Sequence, residues 1–459
     1  VGDNGWDQPV EAAMSADTLF DLPEEQDRGP SIPTSPEEAR VLRPVRNQVE
    51  MIMRDLDSLV SLDHPARSIW GLLEKLDLSE FYGSIKAVLT RPGRSTTDPR
   101  VLLAVWLLAT VESVSSSRKL ERLCQEHDAY RWLCGGAPIN YHMLSDFRTA
   151  HRQALDGLLT QIVGSLMAAG AVTLEGVAQD GMRVRASAGA ASFRRRETLE
   201  ACLEAARKRV ARLSEEREHP DPRSNLRDQR ARERAARERE QRVKAALDLL
   251  PEAKAAKERQ ERTLATPKKA RVTRPRVSTT DPEASIMRQP DGGFRPAYNI
   301  GLATDMASGV IVGVDVTSEG TDAGHAPPME EQVANRTERH PQDYLVDGGF
   351  AILKDITVLE QRGVTVYAPV RVPQNKPKEE RYQPRYGDSK EVIRWRERMS
   401  TTEAKELYRQ RGATAEWSNA QVRHHGITQF TVRGVAKVTT VMLMVAVAHN
   451  LLRWAALGV

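Results

Sequence analysis

The feature that most constrains this chain is a change of apolar rhythm at Gly170. From about Glu38 to Ala168 the apolar residues are dense and recur at helical spacing. Beyond Gly170, the run Ala171-Val172-Thr173-Leu174-Glu175-Gly176-Val177-Ala178 reads as a strand rising into Gln179-Asp180-Gly181. A long interruption follows, and then the strand pattern resumes. Tyr298–Ala303 and Val310–Val316 are two further strands joined by the turn Met306-Ala307-Ser308-Gly309, and Tyr344-Leu345-Val346 and Val364–Ala368 are two more. A helical stretch from about Asp322 to Arg336, a helix from about Phe350 to Arg362 and two late helices complete the order. Strands first, then alternating helices and strands, predict an α+β or α/β fold, a mixed sheet packed by helices.

The boundaries follow from that rhythm. Residues 1–38 are rich in Pro, Asp and Glu, and a mobile tail is expected there. Residues 39–168 form an all-α domain. Thr97-Asp98-Pro99 starts one of its helices, with Asp98 as cap and Pro99 in the first turn, and Gly135-Gly136-Ala137-Pro138 ends another. The sheet core takes residues 169–186 and 291–459, and residues 187–290 interrupt it. A plain helical bundle accounts for the first domain; Arg94, Arg118, Lys119, Arg122 and Arg148 offer it a phosphate-binding surface.

The interruption has a logic of its own. Leu199, Leu203, Ala206, Val210 and Leu213 recur at alternating steps of four and three, the seam of a coiled coil. His219-Pro220-Asp221-Pro222 breaks it, and a second charged helix carries Val243, Leu247 and Leu250. The result is a helical hairpin whose first arm, some twenty residues, projects roughly 30 Å. Its arms are solvated by mixed charge, but its two feet are basic. Arg183, Arg185, Arg194, Arg195 and Arg196 leave on one side without an acid among them, and Lys268, Lys269, Arg271, Arg274 and Arg276 return on the other. Two such runs meeting beside the strand that delivers Asp180 are the best local case for DNA contact.

Bulk charge does not demand a polyanionic partner, since Lys plus Arg exceed Asp plus Glu only by 67 to 63. Cys124, Cys134 and Cys202 form no CxxC pair, which argues against a zinc knuckle or a disulfide framework and suits a reducing interior. No basic-then-apolar leader opens the chain, so no export signal is expected. The most apolar run, Val438–Ala448, meets His449-Asn450 too soon to span a bilayer and reads as a buried helix; no membrane is expected among its partners.

Asp180 and Asp347 each follow a short apolar strand and precede glycine. Taken singly, Asp-Gly is a turn signal. After Asp347-Gly348-Gly349, however, comes the helix of Phe350-Ala351-Ile352-Leu353, so no hairpin is made there. Glu416 sits near the start of a helix after Thr414; if Tyr408 through Arg423 ran as one helix, Tyr408, Arg411, Glu416 and Arg423 would fall within roughly 140° of one another. Alone, Glu416 reads as a carboxylate at a helix N-terminus. Glu403 and Glu406 are fallbacks, and Glu403 belongs to the capping box Ser400-Thr401-Thr402-Glu403. His424-His425 point apart on a helix and are set aside as zinc ligands. Three carboxylates suffice for two divalent cations about 4 Å apart, which can serve both oxygens of an in-line phosphoryl transfer. Arg411, Arg423 and Tyr408 would steady the phosphates.

Four stretches carry a resemblance. They are Gln179–Ala186; Ser278–Ala284 with Tyr298-Asn299; Leu345–Phe350; and Tyr408–Arg423 with Arg433-Gly434. Together with Arg131-Trp132-Leu133 and Asp146-Phe147-Arg148, they make the chain similar to a DDE transposase of bacterial insertion sequences, over roughly residues 60–455. The group meant has a helical N-terminal region and a tyrosine–arginine–glutamate–lysine signature. Arg423 stands where that signature has lysine, and four residues rather than three separate Arg411 from Glu416.

The resemblance implies a ribonuclease-H-like core, Asp180, Asp347 and Glu416 as ligands of two Mg2+ (or Mn2+) ions, and Tyr408, Arg411 and Arg423 on DNA phosphate. It implies double-stranded DNA as partner, both transposon ends with terminal inverted repeats and target DNA. It also implies work on the nucleoid in a bacterial cytoplasm. Joining two ends suits a homodimer. Two other readings remain open: a ribonuclease-H-like nuclease that cuts without joining, and an inactive DNA-binding scaffold built around the hairpin.

Overall fold

In the computed structural model, residues 46–47, 49, 51, 53–83, 85, 96–218, 225–262, 275–372 and 378–458 are described. The expected tail at 1–38, Arg94, the break at His219–Pro222, and Lys268, Lys269, Arg271 and Arg274 lie outside them.

Among the described residues seven α-helices come first: α1 (Pro65–Glu74), α2 (Ser79–Tyr82), α3 (Pro99–Val111), α4 (Ser117–Glu126), α5 (Asp128–Cys134), α6 (Tyr141–Ala150) and α7 (Arg152–Ala168). The punctuation read from sequence is what ends them. Asp98 accepts a hydrogen bond from the Arg100 N–H at the start of α3, and Gly135 closes α5 in the left-handed region at φ 55°. α3 is buried on every side from Val101 to Ala109, so it is the axis of this bundle. Arg148 is a correction to the expected phosphate surface. It is buried, stacks on Trp106 at 4.9 Å, and donates to the Ser115 carbonyl at 2.7 Å and the Thr431 hydroxyl at 2.9 Å. Desolvation holds its guanidinium down to about 10. Arg118, Lys119 and Arg122 are not enclosed in this way.

The sheet begins with β1 (Gly176–Arg185). It starts five residues later than expected and does not end at Asp180, because Met182 and Val184 continue the buried alternation and pair with a later strand. Within the interruption lie β2 (Phe193–Arg194), α8 (Arg196–Glu218), α9 (Leu226–Asp248), α10 (Leu250–Arg262) and β3 (Val277–Ser278). α8 and α9 pack as a hairpin through Leu199, Ala206 and Leu213 against Val243 and Ala246. β2 pairs with β3, Arg194 opposite Val277, and ties the hairpin's neck.

Thereafter come β4 (Ser285–Arg288), β5 (Phe294–Asp305), β6 (Ile311–Thr317), α11 (Ala326–Thr337), β7 (Asp343–Val346), α12 (Leu353–Gln361) and β8 (Thr365–Tyr367). Among the described residues three α-helices come last where two were expected: α13 (Lys390–Ser400), α14 (Thr402–His424) and α15 (Val435–Leu457). Gly412 does not break α14, since the helix is secured by packing on the sheet. Thr401, not Ser400, caps α14, accepting from the Ala404 N–H at 3.2 Å.

The fold is therefore mixed α+β. The strand order is β4-β5-β1-β7-β8, with β6 beside β5 on the edge it shares with β4. β5 runs antiparallel to β1 and β6, whereas β7 is parallel to β1 and β8 parallel to β7. α15 is buried continuously from Val438 to Leu451 and packs on α7, α3, α6 and β6. By length and composition alone it could cross a membrane, but most of it lies inside the protein. Its polar end has a use. Asn450 accepts from the Ile311 N–H at 2.9 Å and donates to the Ile311 carbonyl at 2.8 Å, so a side-chain amide satisfies the open edge of β6.

Candidate active site

The parallel ladder of β1 and β7 ends at the pair Gln179 and Val346. The next residues are Asp180 and Asp347. Successive side chains of a strand alternate in face, so Asp180 stands on the face opposite Gln179, and Asp347, the residue after the last pair, is near enough for its charge to act on Asp180. Past this point β7 leaves the sheet, while β1 continues against β5 as far as Arg185 opposite Ala297. Asp347 turns the chain by accepting the N–H groups of Gly349 at 2.7 Å and Phe350 at 3.3 Å through Oδ1.

α14 covers the same place. It packs on β1, β5 and β7 through the buried residues Ala415, Ser418, Asn419 and Val422. Asn419 donates its side-chain amide to Asp180 Oδ2 at 2.9 Å. Two turns earlier, Arg411 Nη1 lies 3.7 Å from Asp180 Oδ1, and its guanidinium sits over the Tyr408 ring at 5.7 Å. Burial raises the Asp180 carboxyl above its ordinary value against the pull of Arg411, and the charges of Asp347 and Asp322 push the same way as burial. Burial likewise raises the Tyr408 hydroxyl, with Arg411 opposing.

Asp322 is a carboxylate that the sequence pattern does not single out, since it falls there at the first residue of a helix. α11 starts four residues later, and Asp322 lies in the preceding loop, accepting from the Asn299 amide at 2.7 Å. A Cβ on Gly181 would come 2.7 Å from Asp322 Oδ1, and one on Gly349 would lie 3.0 Å from both Asp322 Oδ2 and Asp347 Oδ1. Gly181 and Gly349 thus make room for Asp322. Arg411 pairs with Asp180, and Asp347 and Asp322 add negative charge close by, a setting that suits a hard divalent cation.

Glu416 is placed differently. It lies about 100° around α14 from Ala415, on the exposed flank, and among the described residues it makes no hydrogen bond or ion pair. Arg423 is exposed two turns further on. Among the described residues no group of three or more His, Cys, Asp and Glu is arranged to hold a metal ion. What does fit such an ion is the chemistry of the donors: hard oxygens of Asp180 and Asp347, and a buried Asn419 Oδ1 that has no hydrogen-bond partner.

The basic residues fall into two sets. Arg183 is a strut, donating to the carbonyls of Arg288 at 3.1 Å and Gly320 at 3.0 Å. Arg185, Arg194, Arg195 and Arg196 are exposed, with Arg196 3.6 Å from Glu200. The β2–β3 ribbon brings the described ends of both basic runs to one neck, Arg276 on the returning side.

Comparison with known families finds two matches. Residues 54–150 match the family described as a transposase domain, DUF772, and residues 374–455 match one described as a transposase DDE domain. The second segment carries Tyr408, Arg411, Glu416, Asn419 and Arg423; Asp180 and Asp347 lie outside both. No curated protein and no solved structure matches the chain.

Proposed function

From the premise that this chain is a DDE transposase of insertion sequences, as its two matched segments show, we propose that it cuts DNA at transposon ends and joins the freed strand to target DNA. The core of this reading is ribonuclease-H-like. The order β6-β5-β1-β7-β8, with the first strand central, β5 antiparallel to it and the last two parallel to it, supports that.

The observation that carries the proposal is the juxtaposition of Asp180 and Asp347 at the end of one parallel ladder, beneath the helix of the matched DDE segment. In this reading Asp180, Asp347 and Glu416 hold two Mg2+ or Mn2+ ions. When bound, such ions help an oxygen attack phosphorus and stabilise the departing one. The chain's own residues do the rest. The Asp347 turn fixes its Oδ1 on backbone N–H groups, which holds the carboxylate in place. Arg411, whose Nη1 is buried without a hydrogen-bond partner, meets a phosphate oxygen of the substrate, with Tyr408 beneath it. Exposed Arg185, Arg194, Arg195 and Arg196 follow the DNA backbone away from the cut. Two copies, one per transposon end, make the working unit on double-stranded DNA with terminal inverted repeats.

The test is a strand-transfer assay with labelled terminal repeats and Mg2+. The expected products are nicked ends and joined target with the wild-type chain, and neither with Asp347→Asn. Nicking without joining would favour the pure nuclease. Wild type inert towards DNA ends in every arm would favour the scaffold.

A further inference from the structure

Asn419 is 7% exposed, and its amide is half used. Nδ2 donates to Asp180 Oδ2 at 2.9 Å, while Oδ1 is buried with no partner. A buried acceptor left unpaired costs about 1–3 kcal/mol, so its presence at this place calls for a use. The neighbours limit what that use is. The amide stands against a carboxylate whose charge is already raised in energy by burial and by Asp347 and Asp322. A second oxygen turned toward Asp180 would be repelled unless a cation lay between them. A side-chain carbonyl is an ordinary ligand for a hard divalent ion.

We infer that Asn419 is itself an oxygen ligand of the cation held by Asp180 and Asp347. Without the ion, its N–H2 group is donated to Asp180 and keeps that carboxylate in place. With the ion, the amide turns about its Cβ–Cγ bond, Asp180 exchanges the N–H for the cation, and Asn419 Oδ1 gains the partner it lacks. Asn419 then sits one helical turn past Glu416, so α14 offers two oxygen donors along one flank. This assignment rests on the metal-binding reading of the site.

The experiment measures Mn2+ binding to the full-length chain by calorimetric titration, with melting curves taken with and without Mn2+. It uses wild type, Asn419→Asp and Asn419→Leu. Leu removes both ends of the amide; Asp removes the donor but keeps an oxygen. A ligand role predicts that N419L weakens Mn2+ on the order of tenfold or more, the scale of losing even an outer partner of a metal site, while N419D binds at least as tightly as wild type. N419D should also melt lower than wild type without Mn2+, two carboxylates being apposed, and show the larger rise on adding it. If Asn419 serves only as a donor to Asp180, both variants lose affinity alike, and the inference is overturned. Equal binding by all three chains overturns it too. Should N419L not fold, Asn419→Ala takes its place in the same comparison. Wild type that binds no Mn2+ would bring down the metal reading of the site itself, an outcome distinct from a wild type that binds and variants that do not differ.

Discussion

The rim beneath α14 and the arms of the hairpin are both crowded with charge, yet they hold it in opposite ways. Along α8 and α9 acids and bases alternate on exposed faces and pair within a turn, as Lys208 does with Glu204 at 2.7 Å and Arg212 with Glu216 at 3.3 Å. Such pairs are solvated and contribute little to stability. At the rim, Asp180 is buried against Arg411 with the charges of Asp347 and Asp322 close by, and Asn419 keeps an oxygen unsatisfied. Density of charge therefore tells little about function; charge that is buried and unbalanced tells more.

The comparison breaks most visibly if the rim tolerates neutral residues. Asp180→Asn or Asp347→Asn should lower DNA cleavage on the order of a thousandfold or more, since several kcal/mol of charge stabilisation disappear. Gel assays with labelled ends would read it, and near-normal cleavage would remove the rim from the chemistry. Next in size is the neck. Replacing Arg194, Arg195 and Arg196 together by alanine should weaken DNA binding and reduce the slope of log K against log salt by up to about 3, one unit for each phosphate no longer neutralised. An unchanged slope would return these arginines to the solvated class.

Stability against pH sharpens the contrast further, because two buried groups act with opposite sign. His449 is held down to about 4 by burial, with a backbone hydrogen bond to Gly309 opposing. Its neutral form is the one that folds, so stability is present above about pH 6.5 and falls toward pH 4. The loss is on the order of 3 kcal/mol, and His449→Gln should flatten that limb in denaturant titrations. The Asp180 carboxyl is raised instead. Its contribution is present below the ordinary carboxylate range and is lost as pH rises through the raised value. Metal-free Asp180→Asn should therefore melt higher than wild type at neutral pH, even as it abolishes activity. The smallest effect belongs to the arms: Lys208→Ala should leave the melting temperature unchanged.

Much of this architecture is legible in the chain itself. The change of rhythm at Gly170, the cap at Asp98, the stop at Gly135 and the seam from Leu199 to Leu213 are local signals, and local signals survive into the structure. β1 outruns its expected end because Asp180-Gly181 looks like a turn, whereas pairing of Gly181 with Gly301 carries the strand on. Arg148 has the look of a surface cation until Trp106 and Thr431 enclose it. At the site, the two Asp-Gly pairs can be read, but Asn419 cannot. Its partner is 239 residues away in sequence, and nothing in the pattern of α14 marks an amide that faces a carboxylate. Asp322 is hidden likewise, by a loop that resembles the first turn of a helix.

Everything at the rim turns on Asp180 and Asp347 gripping a common ion, and crystals soaked in Mn2+ would address that directly. Anomalous difference density is predicted between the two carboxylates at the end of β1 and β7, at coordination distance of about 2.0–2.2 Å from oxygens of both. Well-ordered density for both side chains with no anomalous peak between them, or a peak that only one of them touches, would contradict it.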